Sequence, residues 1–406
     1  MQLSAIRAIA AGTVALLLAT AAHAQKAYGP GVTDTEVKIG QTEPFSGPAS
    51  NYGIVAKIEA AYFDMINETG GVNGRKINLI AFDDALSPPK TVEQTRRLVE
   101  SDDVLAIVGT FGTAANIGIS KYLNAKKVPQ LLAASASEKL NDPVNLPWTT
   151  TFFPPQQLEA RLYAAWLLKN MPNAKIGVLF QNDDFGKGYL EGLRAGLGEK
   201  ASSMIVKEQS YDLLNPTVDS QVLTLQAAGA DVLFHAALTK FSAQVLAKTN
   251  GLGWKPLQLI PASTASTLVT MDSVGGENAA GILTTQFLKD PNDPTWDDDD
   301  GMRRYKAFMA KWAPSFSAAE SRSTMGYSIA EFFVHILKQC GDNLSRENLL
   351  KQATNVHEVQ LSMFLPGVTL TVTPEDRNAF RKVQMSRYDG KRWVPIAGIV
   401  SAGAEP

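Results

Sequence analysis

Residues 104–137 read VLAIVGTFGTAANIGISKYLNAKKVPQLLAASAS. Two short apolar runs, Val104–Val108 and Val128–Ala133, flank a segment, Ala114–Asn124, long enough to cross one face of a sheet as a helix. That is the strand–helix–strand rhythm of a parallel sheet. Each expected strand ends in small hydroxyl residues: Thr110 and Thr113 after the first, Ser135 and Ser137 after the second. Ligands of open α/β sheets sit beyond the carboxyl ends of the strands. Hydroxyls beside free N–H groups at a helix start suit an anionic or polar group there. These two turns therefore supply half of a binding site.

The same rhythm extends in both directions. Val37–Gly40 reads as a first strand, broken by the turn QTEPFSGPASNYG, and Ile54–Glu68 as a helix with one apolar face. Ile77–Phe82 and Thr91–Glu100 follow as strand and helix. Asn141–Pro155 carries four prolines and reads as a crossing between lobes. After it the alternation restarts, with strands expected at Lys175–Phe180, Met204–Gln209, Asp231–His235, Leu257–Pro261 and Ile282–Phe287. TRRLVESDDVLAIVG (Thr95–Gly109) and LTLQAAGADVLFHAA (Leu223–Ala237) share one pattern of helix, acid, Val-Leu, apolar strand and small residues. Helices at Met302–Trp312, Ser323–Cys340 and Arg346–Ala353 precede a β-rich tail closed by a hairpin at Asp389-Gly390. The fold class is α/β; the shared pattern reads as two similar lobes or as what any Rossmann-like strand shows, and the crossing between the repeats favours the lobes.

Composition narrows the function. Residues 1–24 have the form of a cleaved export signal: Arg7, the apolar run Ile9–Ala19, and a small-x-small site at Ala22-His23-Ala24. The apolar run is short for a membrane anchor, and no cysteine follows the cleavage site to carry a lipid, so the expected product is exported and soluble. A net charge of −2 leaves no basic footprint for nucleic acid or an anionic membrane. Cys340 is the only cysteine, so no intrachain disulfide forms; it reads as a small buried residue at a helix end. His235, His335 and His357 are scattered, without metal spacing. The tract Asp297–Asp300 reads as a solvated loop whose last aspartate caps the following helix; the rival reading, calcium, lacks its spaced ligand loop.

Catalytic chemistry is missing. No GxSxG elbow, Walker loop or HExxH occurs, and GTFGTAANIG (Gly109–Gly118) has the wrong spacing for a dinucleotide. The pairs Asp83-Asp84 and Asp183-Asp184 follow strands and read as turns or helix caps. Nothing assembles a nucleophile with a base, so the expectation is a binding protein with no cofactor and no metal.

VKIGQTEPFSGPASNYG, GGVNGRKI, VGTFGT, PQLLAASAS and QNDDFGKGY together give a chain that resembles the periplasmic solute-binding proteins of ABC importers, in the branched-chain amino-acid (leucine/isoleucine/valine-binding) family. The resemblance implies a type I periplasmic binding protein: two Rossmann-like lobes with parallel-rich sheets, joined by a three-segment hinge. It places one lobe at residues 25–151 plus 285–365 and the other at 152–284 plus 366–406, with the ligand cleft between them. Thr113 then stands where the family binds a ligand carboxylate by a hydroxyl, and Ser135 and Ser137 complete that site. Tyr52 matches an aromatic that contacts the ligand side chain, and Phe185 falls where amino-acid binders often place a tyrosine. For each of these five, a purely structural turn role is the competing reading.

The departures bear on the ligand. Where amino-acid binders carry a polar aromatic, this chain has Leu238; where they carry an acid, it has Pro261-Ala262-Ser263-Thr264. A buried ammonium without a carboxylate or full hydrogen bonding costs several kcal/mol. The expected ligand is therefore a small carboxylate with an apolar or aromatic body and no α-ammonium. Phe111, Phe45, Trp148, Phe152 and Phe153 are candidates to line its pocket or to pack the hinge, and His235 to meet a ligand hydroxyl or fill the core. An amino acid, or an amide or urea-like solute, is the alternative ligand. The expected partners are that ligand and the permease and ATPase subunits of an importer, with the protein a monomer. A sensor feeding a chemoreceptor is the alternative class, and an exported enzyme on this scaffold a third.

Overall fold

The computed structural model describes residues 26–401; the targeting segment expected at residues 1–24 lies outside them. Two separate sheets organise the chain. The first contains β1 (Glu36–Glu43), β2 (Lys76–Asp83), β3 (Ile107–Val108), β4 (Gln130–Ala133) and β5 (Thr149–Thr151). They lie in the spatial order β2-β1-β3-β4-β5, and every pairing is parallel. The second contains β6 (Ile176–Gln181), β7 (Ile205–Tyr211), β8 (Val232–Ala236), β9 (Leu257–Leu259) and β10 (Leu283–Gln286), with the tail strands β11 (Lys382–Tyr388) and β12 (Trp393–Ser401). Its order is β12-β11-β10-β9-β8-β6-β7. Only the tail strands run antiparallel.

The five parallel strands of each sheet thus follow the same order, second-first-third-fourth-fifth. The two echoing segments of the sequence end in β3 and β8, the third strand of each, so the echo reports a real structural repeat. Such an order has its switch point beside the first strand, between it and the third, and that is where an open sheet receives a ligand. The chain crosses between the sheets after β5, after β10 and again before β11, which makes three connecting segments. β10 runs through Gln286, so the chain leaves the second sheet slightly after the expected boundary at residue 284.

The longer helices are α1 (Ile54–Glu68), α2 (Pro88–Glu100), α3 (Thr113–Ala125), α4 (Gln156–Asn170), α5 (Asp184–Leu197), α6 (Asp219–Ala227), α7 (Thr239–Gly251), α8 (Asp300–Trp312) and α9 (Ser321–Gln339). α9 returns to the first sheet's side and lies against α1 at Gly326, where an added Cβ would come within 2.4 Å of the Val55 carbonyl oxygen. Tyr62 meets Tyr327 edge-on nearby, at 4.9 Å between rings. No helix among the described residues is long and apolar enough to cross a membrane.

Some elements differ from the sequence reading. The buried run Val104–Val108 forms ladder only at Ile107–Val108, although Leu105 N still donates to the Lys38 carbonyl at 2.9 Å. The turn after β6 is tight, because Asp183 caps α5: its Oδ1 accepts from Phe185 N at 2.9 Å and Gly186 N at 3.3 Å. The cap of α8 is Asp299, not the last aspartate of the tract; its Oδ1 accepts from Met302 N at 2.9 Å, and Asp300 opens the helix. The tract is also paired, Asp297 with Lys306 at 2.7 Å, Asp299 with Lys289 at 2.7 Å, and Asp300 with Arg303. Cys340 is buried, and burial pushes its thiol up to about 12.

Candidate ligand-binding cleft

The site begins at the turn after β3. Gly112 has φ +101°, a backbone conformation that disfavours side chains. A Cβ there would also come within 2.3 Å of Leu86 Cδ1. With no side chain at this position, α3 starts uncapped at Thr113. The N–H groups of its first turn have no partner inside the helix, and they sit at its positive end.

Hydroxyls gather at the same point. Thr113 Oγ1 lies 3.0 Å from Ser135 Oγ, and both are buried. Ser135 Oγ accepts from Ser137 N at 3.2 Å, and Gln156 Nε2 donates to Thr113 Oγ1 at 3.4 Å. The two turns that the sequence paired, 22 residues apart, therefore meet as one polar end.

Against this end opens a cavity of about 230 Å³, walled by both sheets' loops. Of the eight residues singled out from the sequence, Thr113, Ser135, Phe111, Phe185, Leu238 and Ser263 line it. The other two stand one layer back. Tyr52 is buried behind Phe111, its ring stacked at 4.4 Å, and its hydroxyl lies 2.6 Å from Thr239 Oγ1. Ser137 accepts from Lys139 N at 3.3 Å, starts a short 3-10 turn, and faces a separate surface cleft.

Among the other aromatics, Phe153 lines the cavity. Phe152 packs the hinge against Phe380, with ring centres 5.4 Å apart. Phe45 and Trp148 are half-buried off the wall. His235 is a core residue: its Nδ1 lies 3.1 Å from Ser242 Oγ, and burial pulls its pKa down to about 3.

The far wall holds what the sequence reading missed. Gln181, Asn182, Asp183, Tyr189, Asp212 and Leu213 face the cavity from the ends of β6 and β7 and from α5. Two acids therefore reach a wall expected to be apolar, though from strand ends other than those where an acid was sought. Asp183 is fully engaged, because besides capping α5 its Oδ2 accepts from Gln181 Nε2 at 2.6 Å. Burial raises its pKa. Asp212 is exposed, and its Oδ1 accepts from Asn182 Nδ2 at 3.2 Å. No Lys or Arg lines this cavity.

A third acid lies directly behind. Glu159, on α4, accepts from Tyr189 at 3.1 Å, from Ala262 N at 3.0 Å and from Thr285 Oγ1 at 2.9 Å. Burial pushes its carboxyl up to about 7, against the pull of those donors. It is the buried group that sets Tyr189 and the Ser263 loop in place. Its only sequence signal is an acid on the apolar side of a helix, which a solvated face imitates.

Comparison with known proteins supplies the context. A family model described as periplasmic binding protein matches residues 36–392. The chain is 29% identical over 289 residues to a Leu/Ile/Val-binding protein homolog from Brucella suis, covering 68% of this chain and 69% of that one. The structure superposes on a branched-chain amino acid ABC transporter protein from Thermus thermophilus with bound valine at a TM-score of 0.82 and 18% identity, covering 92% of this chain and 98% of that one. It also superposes on a fatty acid ABC transporter substrate-binding protein from Thermomonospora curvata at 0.78 and 19% identity, covering 93% and 95%.

Proposed function

The chain belongs to the periplasmic binding protein family, and from that premise we propose that it captures a small carboxylate with an apolar or aromatic body for an ABC importer. The bodies that close on the guest are the lobes at residues 26–151 plus 287–365 and 152–286 plus 366–401. Hinge motion of this kind draws its affinity from contacts made only in the closed form.

One observation carries the reading of the ligand. The uncapped start of α3, with Thr113 and Ser135 beside it, offers donors to an anion, while no buried carboxylate facing the cavity is free to neutralise an ammonium. Between the two ends the walls are Leu86, Phe111, Phe153, Phe185 and Leu238. These suit a hydrocarbon or a ring. The protein meets its guest outside the cytoplasm and passes it to the permease, whose ATPase subunits drive import.

The acids Asp183 and Asp212 favour a second reading, an amino acid whose ammonium sits toward Asp212. Titration calorimetry with benzoate, cinnamate, octanoate and leucine separates the two. The carboxylate reading expects the acids lacking an amine to bind more tightly than leucine. Binding of leucine alone would overturn it.

A further inference from the structure

A second, smaller chamber adjoins the cavity on the hinge side, and Ser263 lines both. It measures about 40 Å³, against about 230 Å³ for the main cavity. The chamber's walls include Ala262, Phe287, Lys289, Arg322 and Met325, together with Asp290, whose carboxylate is engaged by Thr267 and Asn292. Arg322, in the first turn of α9, is buried, and its Nε and Nη2 donate to Glu320 at 2.9 and 3.0 Å. Its Nη1 is buried and has no partner. Ser263 Oγ is likewise buried without a partner. The other cation, Lys289, is spent on Asp299 at 2.7 Å and on the Ser362 carbonyl at 2.9 Å.

Buried donors of this kind are nearly always satisfied, and this chamber is small beside the cavity that would take the ligand body. The guanidinium also lies over the Tyr52 ring at 5.2 Å, and that ring stacks on Phe111 of the main cavity. Arg322 is thus held between Glu320 and the ring that backs the main cavity's wall.

We infer that the ligand is two-headed: beyond its carboxylate and apolar body it carries a second acceptor group, a carboxylate or carbonyl, received by Arg322 Nη1 and Ser263 Oγ. The inference rests on the carboxylate reading above. It makes Arg322 and Ser263 the residues that select between monoacids and diacids.

Calorimetry on the full chain with two matched pairs, terephthalate against para-toluate and suberate against octanoate, tests it. In at least one pair the diacid binds about tenfold or more tightly than its monoacid. In Ser263→Ala, and in Arg322→Gln combined with Glu320→Gln so that no lone charge is left buried, the ratio of the two dissociation constants falls toward one. Monoacids that bind as tightly as diacids in both pairs would overturn the inference and leave the carboxylate reading intact. A diacid preference unchanged in both variants would overturn it as well, since the second head would then lie elsewhere. Failure of all four acids to bind would overturn the carboxylate reading itself.

Discussion

The hydroxyl of Tyr52 lies 2.6 Å from Oγ1 of Thr239 and also accepts from Thr239 N at 3.2 Å. Tyr52 precedes α1 on the first sheet's side, and Thr239 opens α7 on the second. This buried contact ties the two sides together immediately behind the cavity wall. At the rim, Lys139 Nζ and Asp184 Oδ1 make a second tie at 2.5 Å, half in solvent. An exposed pair of that kind is worth little, so the buried contact dominates.

Tyr52→Phe keeps the stacking on Phe111 and loses the tie. We expect ligand affinity to fall about tenfold, the equivalent of one buried hydrogen bond. The thermal midpoint without ligand should move much less. Calorimetry and a melting curve on the same preparation check this, and an unchanged affinity would show that the tie does not hold the closed form.

Thr113→Val preserves shape and removes the hydroxyl at the start of α3. Affinity for a carboxylate ligand should fall about ten- to a hundredfold, with the circular dichroism spectrum unchanged. A loss confined to stability, with ligand affinity retained, would return Thr113 to a turn residue.

Glu159 sets a pH dependence. Its folded pKa of about 7 lies above the ordinary 4.5, so the proton favours the folded state. The stability this contributes is fully present below about pH 4.5 and is lost as pH rises through 7, on the order of 3 kcal/mol in all. Burial raises Glu43 and Glu59 as well, so they act in the same direction. Asp83 and Asp299 are lowered instead, and their contribution is lost on acidification below the usual aspartate range. Buried, neutral His235 acts the opposite way below about pH 6.5, so the test compares proteins: in urea unfolding, Glu159→Gln should lose clearly less stability between pH 5 and pH 8 than the parent does. An equal slope in the variant would contradict the assignment.

Gly326→Ala forces α9 away from α1, because the new Cβ meets the Val55 carbonyl oxygen at 2.4 Å. Overpacking of this kind costs about 1–3 kcal/mol. A lower denaturant midpoint with an unchanged slope is the expected result.

The sequence by itself determined the α/β rhythm, the repeat of two halves, the crossing near Pro155 and the hydroxyl turns at Thr113 and Ser135. Each is written in periodicity or turn chemistry within a few residues, where local sterics and burial dominate. Only the tertiary structure decided that Tyr52 backs the wall rather than forming it, and that Ser137 serves a turn. It also brought Asp183 and Asp212 to the cavity, set Glu159 beneath Tyr189, and left Arg322 beside Ser263. Those relations join residues from different strand ends and helices across the cleft. Burial, which converts such an acid or base from a solvated face into a part of the site, is a property of the packed whole and leaves no mark on the neighbouring sequence.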